Sequence, residues 1–344
     1  MPNWRRAGGA PVCQAKIRLA PEDFQVTEII DIELDGLGEH DWLWVRKTNT
    51  NSEWLARQLA RFAGIETRDV GFAGHKDRHA VTHQWYSVRR KTGAGYDWDV
   101  LHLPGVEVLK VARHSRKLRR GAHCGNRFDL LLRELQGDPQ DALQRISGDG
   151  VPNYFGEQRF GRAGANISLA RSLFGGRRLR RDKRSLALSA ARSLIFNDVL
   201  AARVSDGTWN QLLPGDYAVL EGSRSHFKVE SVDAALTRRC EDFDLHPSGP
   251  LWGKGAGMPD SLLIERTVAR THAELATGLE KFTEVARRAL RLKVVGLEWA
   301  LERDNLRMGF DLPSGAFATA VLREIADYKD GFRDAKRASL QSGT

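Results

Sequence analysis

The run from Gly71 to Val88 holds the residues best suited to chemistry. Asp77 sits there between Lys76 and Arg78, four residues after the pair Ala73-Gly74 begins. Neighbouring cations favour the ionised form of a carboxylate, which suits a nucleophile or a base. The same triplet is also ordinary composition for a solvated turn. His75, His79 and His83 recur at intervals of four, and on a helix they would share one face. A metal site there would need that helix and a further ligand. However, Gly71 and Gly74 precede the run, and Ala80-Val81-Thr82-His83-Gln84-Trp85-Tyr86-Ser87-Val88 reads as a strand, so no metal is expected. The two glycines permit a tight or left-handed turn.

A second run spans residues 150–161 and includes Pro152-Asn153-Tyr154-Phe155-Gly156-Glu157-Gln158-Arg159-Phe160-Gly161. It would serve either as a rigid buried hinge or as a cleft wall that stacks on unpaired bases. Residues 113–120 and 177–184 form two basic runs that suit a phosphate backbone or, equally, a solvated face. Gly253-Lys254-Gly255-Ala256-Gly257 lacks the strand and helix of a phosphate-binding loop and reads as a glycine-rich loop.

Several elements must position these groups. Alternation over residues 16–30, broken by Pro21, predicts two short strands, and residues 41–47 predict another. Asn51 or Ser52 caps a helix carrying Leu55, Leu59, Phe62 and Ala63, which Gly64 ends. Strand, loop and strand follow over residues 70–88, then a strand over 126–135 and a short helix over 138–146. Residues 1–14 read as a loose basic lead-in. From about 151 the texture turns Arg-rich and helical, with one helix over 183–204 and more over 261–292, where Leu279, Phe282, Val285, Ala286 and Leu290 share a face. Strands return at 297–301 and 306–312, a helix closes at 317–326, and residues 338–344 read as a frayed tail.

The chain has 344 residues, long enough for two domains. Its 53 basic residues, 40 Arg and 13 Lys, outweigh 44 acids for a net charge of +9. Guanidinium groups recognise phosphate in a bidentate way, although a GC-rich genome would give the same skew. No run of about 20 apolar residues spans a bilayer, and the N-terminus lacks a secretory signal. Cys13, Cys124 and Cys240 are scattered, without a C-x-x-C pair, which fits a reducing, cytoplasmic setting.

Taken in order, the motifs resemble the TruD family of tRNA pseudouridine synthases, from Lys16 to about Ala326. They are Pro21-Glu22-Asp23-Phe24, the run from Ala73 to Thr82, His114-Ser115-Arg116-Lys117-Leu118-Arg119, Gly125-Asn126-Arg127-Phe128, the run from Pro152 to Gly161, Leu188-Ser189-Ala190-Ala191-Arg192-Ser193, and Leu312-Pro313-Ser314-Gly315-Ala316-Phe317-Ala318-Thr319. The resemblance implies an α+β fold. Its pseudouridine-synthase core is a mixed, mainly antiparallel sheet with flanking helices, formed by residues 1–150 and 295–344. An α/β family-specific domain, 151–294, is inserted.

The resemblance further implies that Asp77 is the catalytic nucleophile. Phe24, Asn126 and Phe317 match residues of the uridine pocket, with Phe128 beside them. Arg18 stands where members often carry Lys and would hold Asp77 charged and aimed. His75 stands where other residues are common and has no catalytic role. The implied reaction turns a uridine of tRNA, uridine 13 of the D-arm, into pseudouridine. The N1–C1′ bond breaks, the uracil turns, and C5 bonds to C1′. Nothing is oxidised or hydrolysed, so no cofactor is expected. Asp77 could first attack C1′, attack C6, or take a proton at C2′. A monomer with no protein partner and no membrane is the family expectation. A non-catalytic RNA-binding protein of the same fold, and an enzyme acting on another RNA, are the competing readings. The joint presence of Asp77, Asn126 and Phe317 argues against the first.

Overall fold

The computed structural model describes residues 3–91, 95–223, 225–255 and 262–332. The expected tail, 338–344, and Ala256, Gly257 and Ser261 lie outside them. By contacts the chain divides into two compact units. One comprises Cys13–Asp138, Val295–Gly315 and Asp327–Thr344; the other comprises Met1–Val12, Pro139–Val294 and Ala316–Ala326. The sequence-based layout kept residues 1–12 and 316–326 with the first of these. By contact they belong with the inserted stretch.

The first unit is built on a ten-stranded mixed sheet. Its centre is the long strand Gly125–Gln136, whose alternating burial places Phe128, Leu130 and Leu132 inward. On one side it pairs antiparallel with Asn305–Pro313, which pairs in turn with Val295–Glu302. On the other it pairs antiparallel with Phe24–Ile29. That strand runs parallel to Val81–Arg89. Antiparallel pairing then continues through His40–Thr48 to Val106–His114. Inward residues alternate with outward ones along Phe24–Ile29, so Phe24, Val26 and Glu28 share the buried face. Glu28 is the anomaly in that series: an acid on an apolar face needs a partner.

The helix Ser52–Ala63 packs Leu55, Leu59 and Ala60 beneath Leu43, Val45 and Tyr86. Asn51 caps it, its Oδ1 accepting the N–H groups of Glu53 and Trp54 at 2.9 and 3.1 Å. Such a cap stabilises by about 1 kcal/mol. Gly64 ends the helix in the left-handed region at φ 61°.

The second unit centres on the helix Arg181–Ser205. Ala187, Ala191, Leu194, Ile195, Val199 and Leu200 are buried along it. Beside it lie the helices Ala165–Phe174, Leu263–Thr271 and Ala273–Glu280, and an antiparallel sheet of four strands. Two expectations are corrected here. The helix expected up to 292 stops at Glu280, and Ala286–Ala289 is instead a strand paired with Leu245–Leu251. Leu290 is buried in the core formed mainly by the helices, and Val285 packs partly buried against it. The N-terminal lead-in is not loose: Trp4 stacks on Tyr154 at 6.0 Å and its Nε1 donates to Asp198 Oδ1 at 2.5 Å. The helix Ala318–Ile325 closes this unit. The strand Ala326–Asp330, which the sequence did not suggest, pairs with Cys13–Ile17.

Candidate active site

Asp77 lies in the loop between Val70–Phe72 and Val81–Arg89, the second being the expected strand rather than a helix. His75, His79 and His83 therefore share no helical face. His83 sits on the strand, stacked on Trp44 at 6.1 Å. His79 stacks on Phe332. His75 rests against Phe72 with Nε2 3.6 Å from Glu53, and burial pushes its pKa down.

The glycines that open this run serve close approach rather than a left-handed turn. A Cβ on Gly71 would collide with the carbonyl oxygen of Leu118, and one on Gly74 would lie 3.0 Å from the His123 ring.

The loop is tied along its length. The Lys76 backbone N–H donates to Ser52 Oγ at 3.2 Å, and Ser52 Oγ donates to Gln84 Oε1 at 2.8 Å. Gln84 Nε2 donates to the carbonyl of Gly74 at 3.1 Å. At the far end, the Asn49 N–H donates to the carbonyl of Ala80 at 3.2 Å. The side chain of Lys76 turns away from its neighbour Asp77 into the sheet. Its Nζ donates to Glu28 Oε1 at 2.8 Å, and Glu28 Oε2 accepts the Trp85 N–H at 3.0 Å. Both side chains of this ion pair are buried, at 4% and 0% exposure. Lys76 thus anchors the residue next to Asp77, and the cation that reaches Asp77 comes from elsewhere.

That cation is Arg18. Its Nη2 stands 3.6 Å from Asp77 Oδ2, an ion pair too long for a hydrogen bond. Its Nη1 donates to Asp330 Oδ2 at 3.1 Å. Arg18 holds a left-handed backbone at φ 55°, a conformation that costs free energy in a non-glycine residue. The guanidinium lies flat on Phe24, Cζ 3.8 Å from the ring centroid. Phe24 is 2% exposed, so one ring face is the apolar seat of Arg18. Phe128 meets the Phe24 ring edge-on at 6.2 Å. The Asp77 side chain remains 42% exposed: one side faces its cation while the other is open.

Asn126 stands on the long strand directly opposite Glu28. Its Oδ1 is buried without a hydrogen-bond partner, and it makes no bond to Asp77. A buried acceptor in that state is suited to a donor from a ligand. Lys47, buried beside this loop, donates from Nζ to the Thr50 carbonyl at 2.8 Å. Burial pushes its pKa down to about 8, and the charge of Asp77 acts in the opposite direction.

Of the residues singled out from sequence, Asp77, Arg18, Phe24, Asn126 and Phe128 share the first unit. Phe317 belongs to the second, where it packs on Phe155 at 6.4 Å. Glu28, Lys47, Ser52, Gln84 and Asp330 were missed. Glu28 carried a readable signal, an acid in phase with Phe24 and Val26. A groove of about 530 Å³ in the first unit is lined by Gln25, Asp129, Leu131, Trp299 and Arg307, and includes none of the six.

The fold has a solved counterpart. A crystal structure of a Methanosarcina mazei protein assigned to tRNA pseudouridine synthase D superposes with a TM-score of 0.71, at 20% identity, over 96% of both chains. The two chains share one α+β fold. The family profile of tRNA pseudouridine synthase D (TruD) matches residues 7–177 and 175–325. The tRNA pseudouridine synthase D of Methylococcus capsulatus is 48% identical over 332 residues, 94% of each chain. That of Nitrosococcus oceani is 48% identical over 329 residues, 92% of each. The chain belongs to the tRNA pseudouridine synthase D family.

Proposed function

We propose that this protein isomerises uridine 13 of the tRNA D-arm to pseudouridine in the cytoplasm, with Asp77 as the nucleophile. The observation that carries the reading is Asp77 itself: a half-open carboxylate, paired on one side with Arg18, on a loop tied at Gly74, Lys76 and Ala80.

The chemistry follows from those positions. A base must leave its stack to be reached by a side chain. Arg18 keeps Asp77 charged and aimed without occupying its open side. Asn126 Oδ1 accepts the N3–H of the uracil, a donor that cytosine lacks. Phe24 and Phe128 give the pocket its apolar lining, and Phe317 is the further ring that contacts the nucleotide. Water exclusion by such rings keeps the detached uracil in place for its turn. The N1–C1′ bond breaks and a C5–C1′ bond forms. The proton on C5 is lost and N1 gains one, so the reaction is an isomerisation.

The test is a pseudouridine map of tRNA lacking this modification, after incubation with the wild-type protein. A new pseudouridine at position 13 is expected. Modification at another position would overturn the choice of uridine, and no modification at all would favour a protein that only binds RNA.

A further inference from the structure

Two arginines of the second unit converge on one buried ring. Arg288 places Cζ 4.1 Å from the centroid of Phe155, and Arg159 places Cζ 5.3 Å from it. Arg288 is fixed in place, its Nη2 donating to Asn153 Oδ1 at 2.5 Å. Asn153 is held in turn, its Nδ2 donating to the Ala289 carbonyl at 2.9 Å and its N–H to the Leu290 carbonyl at 2.8 Å. Arg159 stands on the short turn Glu157–Phe160, whose Arg159 carbonyl accepts from Asn166 Nδ2 at 3.1 Å. Its guanidinium also approaches the Phe317 ring, at 5.9 Å.

The Arg159 Nε is buried without a hydrogen-bond partner. Among the described residues, none brings a carboxylate into ion-pair range of it. Burial, together with the charge of Arg159, pushes the Arg288 pKa down to about 10. A cation in partly dry surroundings that no carboxylate of the described residues answers, as at Arg159, is unfavourable until an anion arrives. A guanidinium laid against aromatic rings is also pre-oriented, so little freedom is lost when its fork engages an anion.

We infer that Arg159 and Arg288 form a seat for one backbone phosphodiester of the bound RNA, adjoining the nucleotide that Phe317 contacts. This rests on the reading of the substrate as tRNA. A phosphodiester carries a single negative charge on two oxygens in the fork geometry that guanidinium groups match. The phosphates of a polynucleotide are also its most regularly spaced recognition points.

The test is equilibrium binding of a full-length tRNA transcript in which one phosphodiester near the target uridine is replaced by a neutral methylphosphonate. Each linkage from two nucleotides before the uridine to two after it is tried in turn. With the wild-type protein, one linkage is expected to weaken binding about tenfold. Arg159→Gln should weaken binding of unmodified tRNA by a similar factor, and be almost indifferent to neutralising that same linkage. Arg159→Lys should recover part of the loss, since it keeps the charge without the fork. The salt slope of log Kd should fall by about 1 for Arg159→Gln. The inference is overturned if wild type is indifferent to every methylphosphonate, a result that needs no variant to fold. It is equally overturned if the losses from Arg159→Gln and from the neutral linkage simply multiply, as they would for a packing residue. Pseudouridine formation on unmodified tRNA is scored in parallel. Its absence counts against the reading of the reaction, while the binding coupling still decides the phosphate seat.

Discussion

The surroundings of Asp77 and those of Phe317 treat cationic side chains in opposite ways. Beside Asp77, Lys76 meets Glu28, and Arg18 meets Asp77 and Asp330. Beside Phe317, the guanidinium of Arg159 meets aromatic rings and no carboxylate of the described residues. Charges paired inside the protein fix geometry, because neither partner gains by moving. A cation without an internal anion is held ready for one from outside. On the proposed function, pairing separates the groups that aim the chemistry from those that hold the substrate.

The largest expected effect uses a pair that each unit buries completely. Glu28–Lys76 lies under the Asp77 loop. Arg203–Asp216, in the other unit, is closed by two bonds of 2.8 and 3.0 Å. Glu28→Gln and Asp216→Asn each leave a buried cation unanswered, and each should cost about 3–5 kcal/mol in urea unfolding. Only Glu28→Gln should also slow single-turnover pseudouridine formation. Equal slowing by both would break the comparison, since it would make the kinetic effect a general consequence of lost stability.

Next in size is Arg18→Ala. It removes the cation that Asp77 and Asp330 share, and should lower the single-turnover rate about 100-fold. Affinity for tRNA should change less than threefold, because Arg18 faces carboxylates rather than phosphates. Rapid kinetics and binding on one preparation separate the two. A loss in affinity as large as the loss in rate would move Arg18 into the class of Arg159.

The smallest effect concerns Lys47. Its pKa is about 8 in the fold and 10.5 when exposed. Between these values the unfolded chain binds the proton and the folded one does not, so stability rises with pH across this window, by about 1 kcal/mol per pH unit at most. Lys47→Met should flatten that segment of the stability–pH curve. An unchanged slope would assign the titration to another group.

The triplet around Asp77 suggested its chain neighbours as the cations, while the family resemblance pointed to Arg18, the one that stands 3.6 Å from it. Lys76 adjoins Asp77 in the chain and points into the sheet, while Arg18, 59 positions earlier, supplies the charge. Chain neighbours on a tied loop alternate in direction, and only the sheet register shows which residue returns. The strands and the capped helix at Asn51 were legible because each follows one period and one set of end signals. Residues 281–292 were not, because Val285 and Leu290, which pack into the core from outside any helix, fell by chance at helical spacing. Asp330 was invisible because the strand that carries it, Ala326–Asp330, follows a helix with no breaker between them. Phe317 was expected in the pocket from its motif, whereas its company with Phe155 and Arg159 required the fold.

The central claim, that Asp77 carries the chemistry and the arginines of the second unit carry only binding, is tested most directly by Asp77→Asn under single-turnover conditions with saturating protein. The expected result is tRNA bound within twofold of wild type, with pseudouridine at position 13 reduced to the background of a protein-free control. Retained pseudouridine formation at even one hundredth of the wild-type rate would contradict Asp77 as the nucleophile.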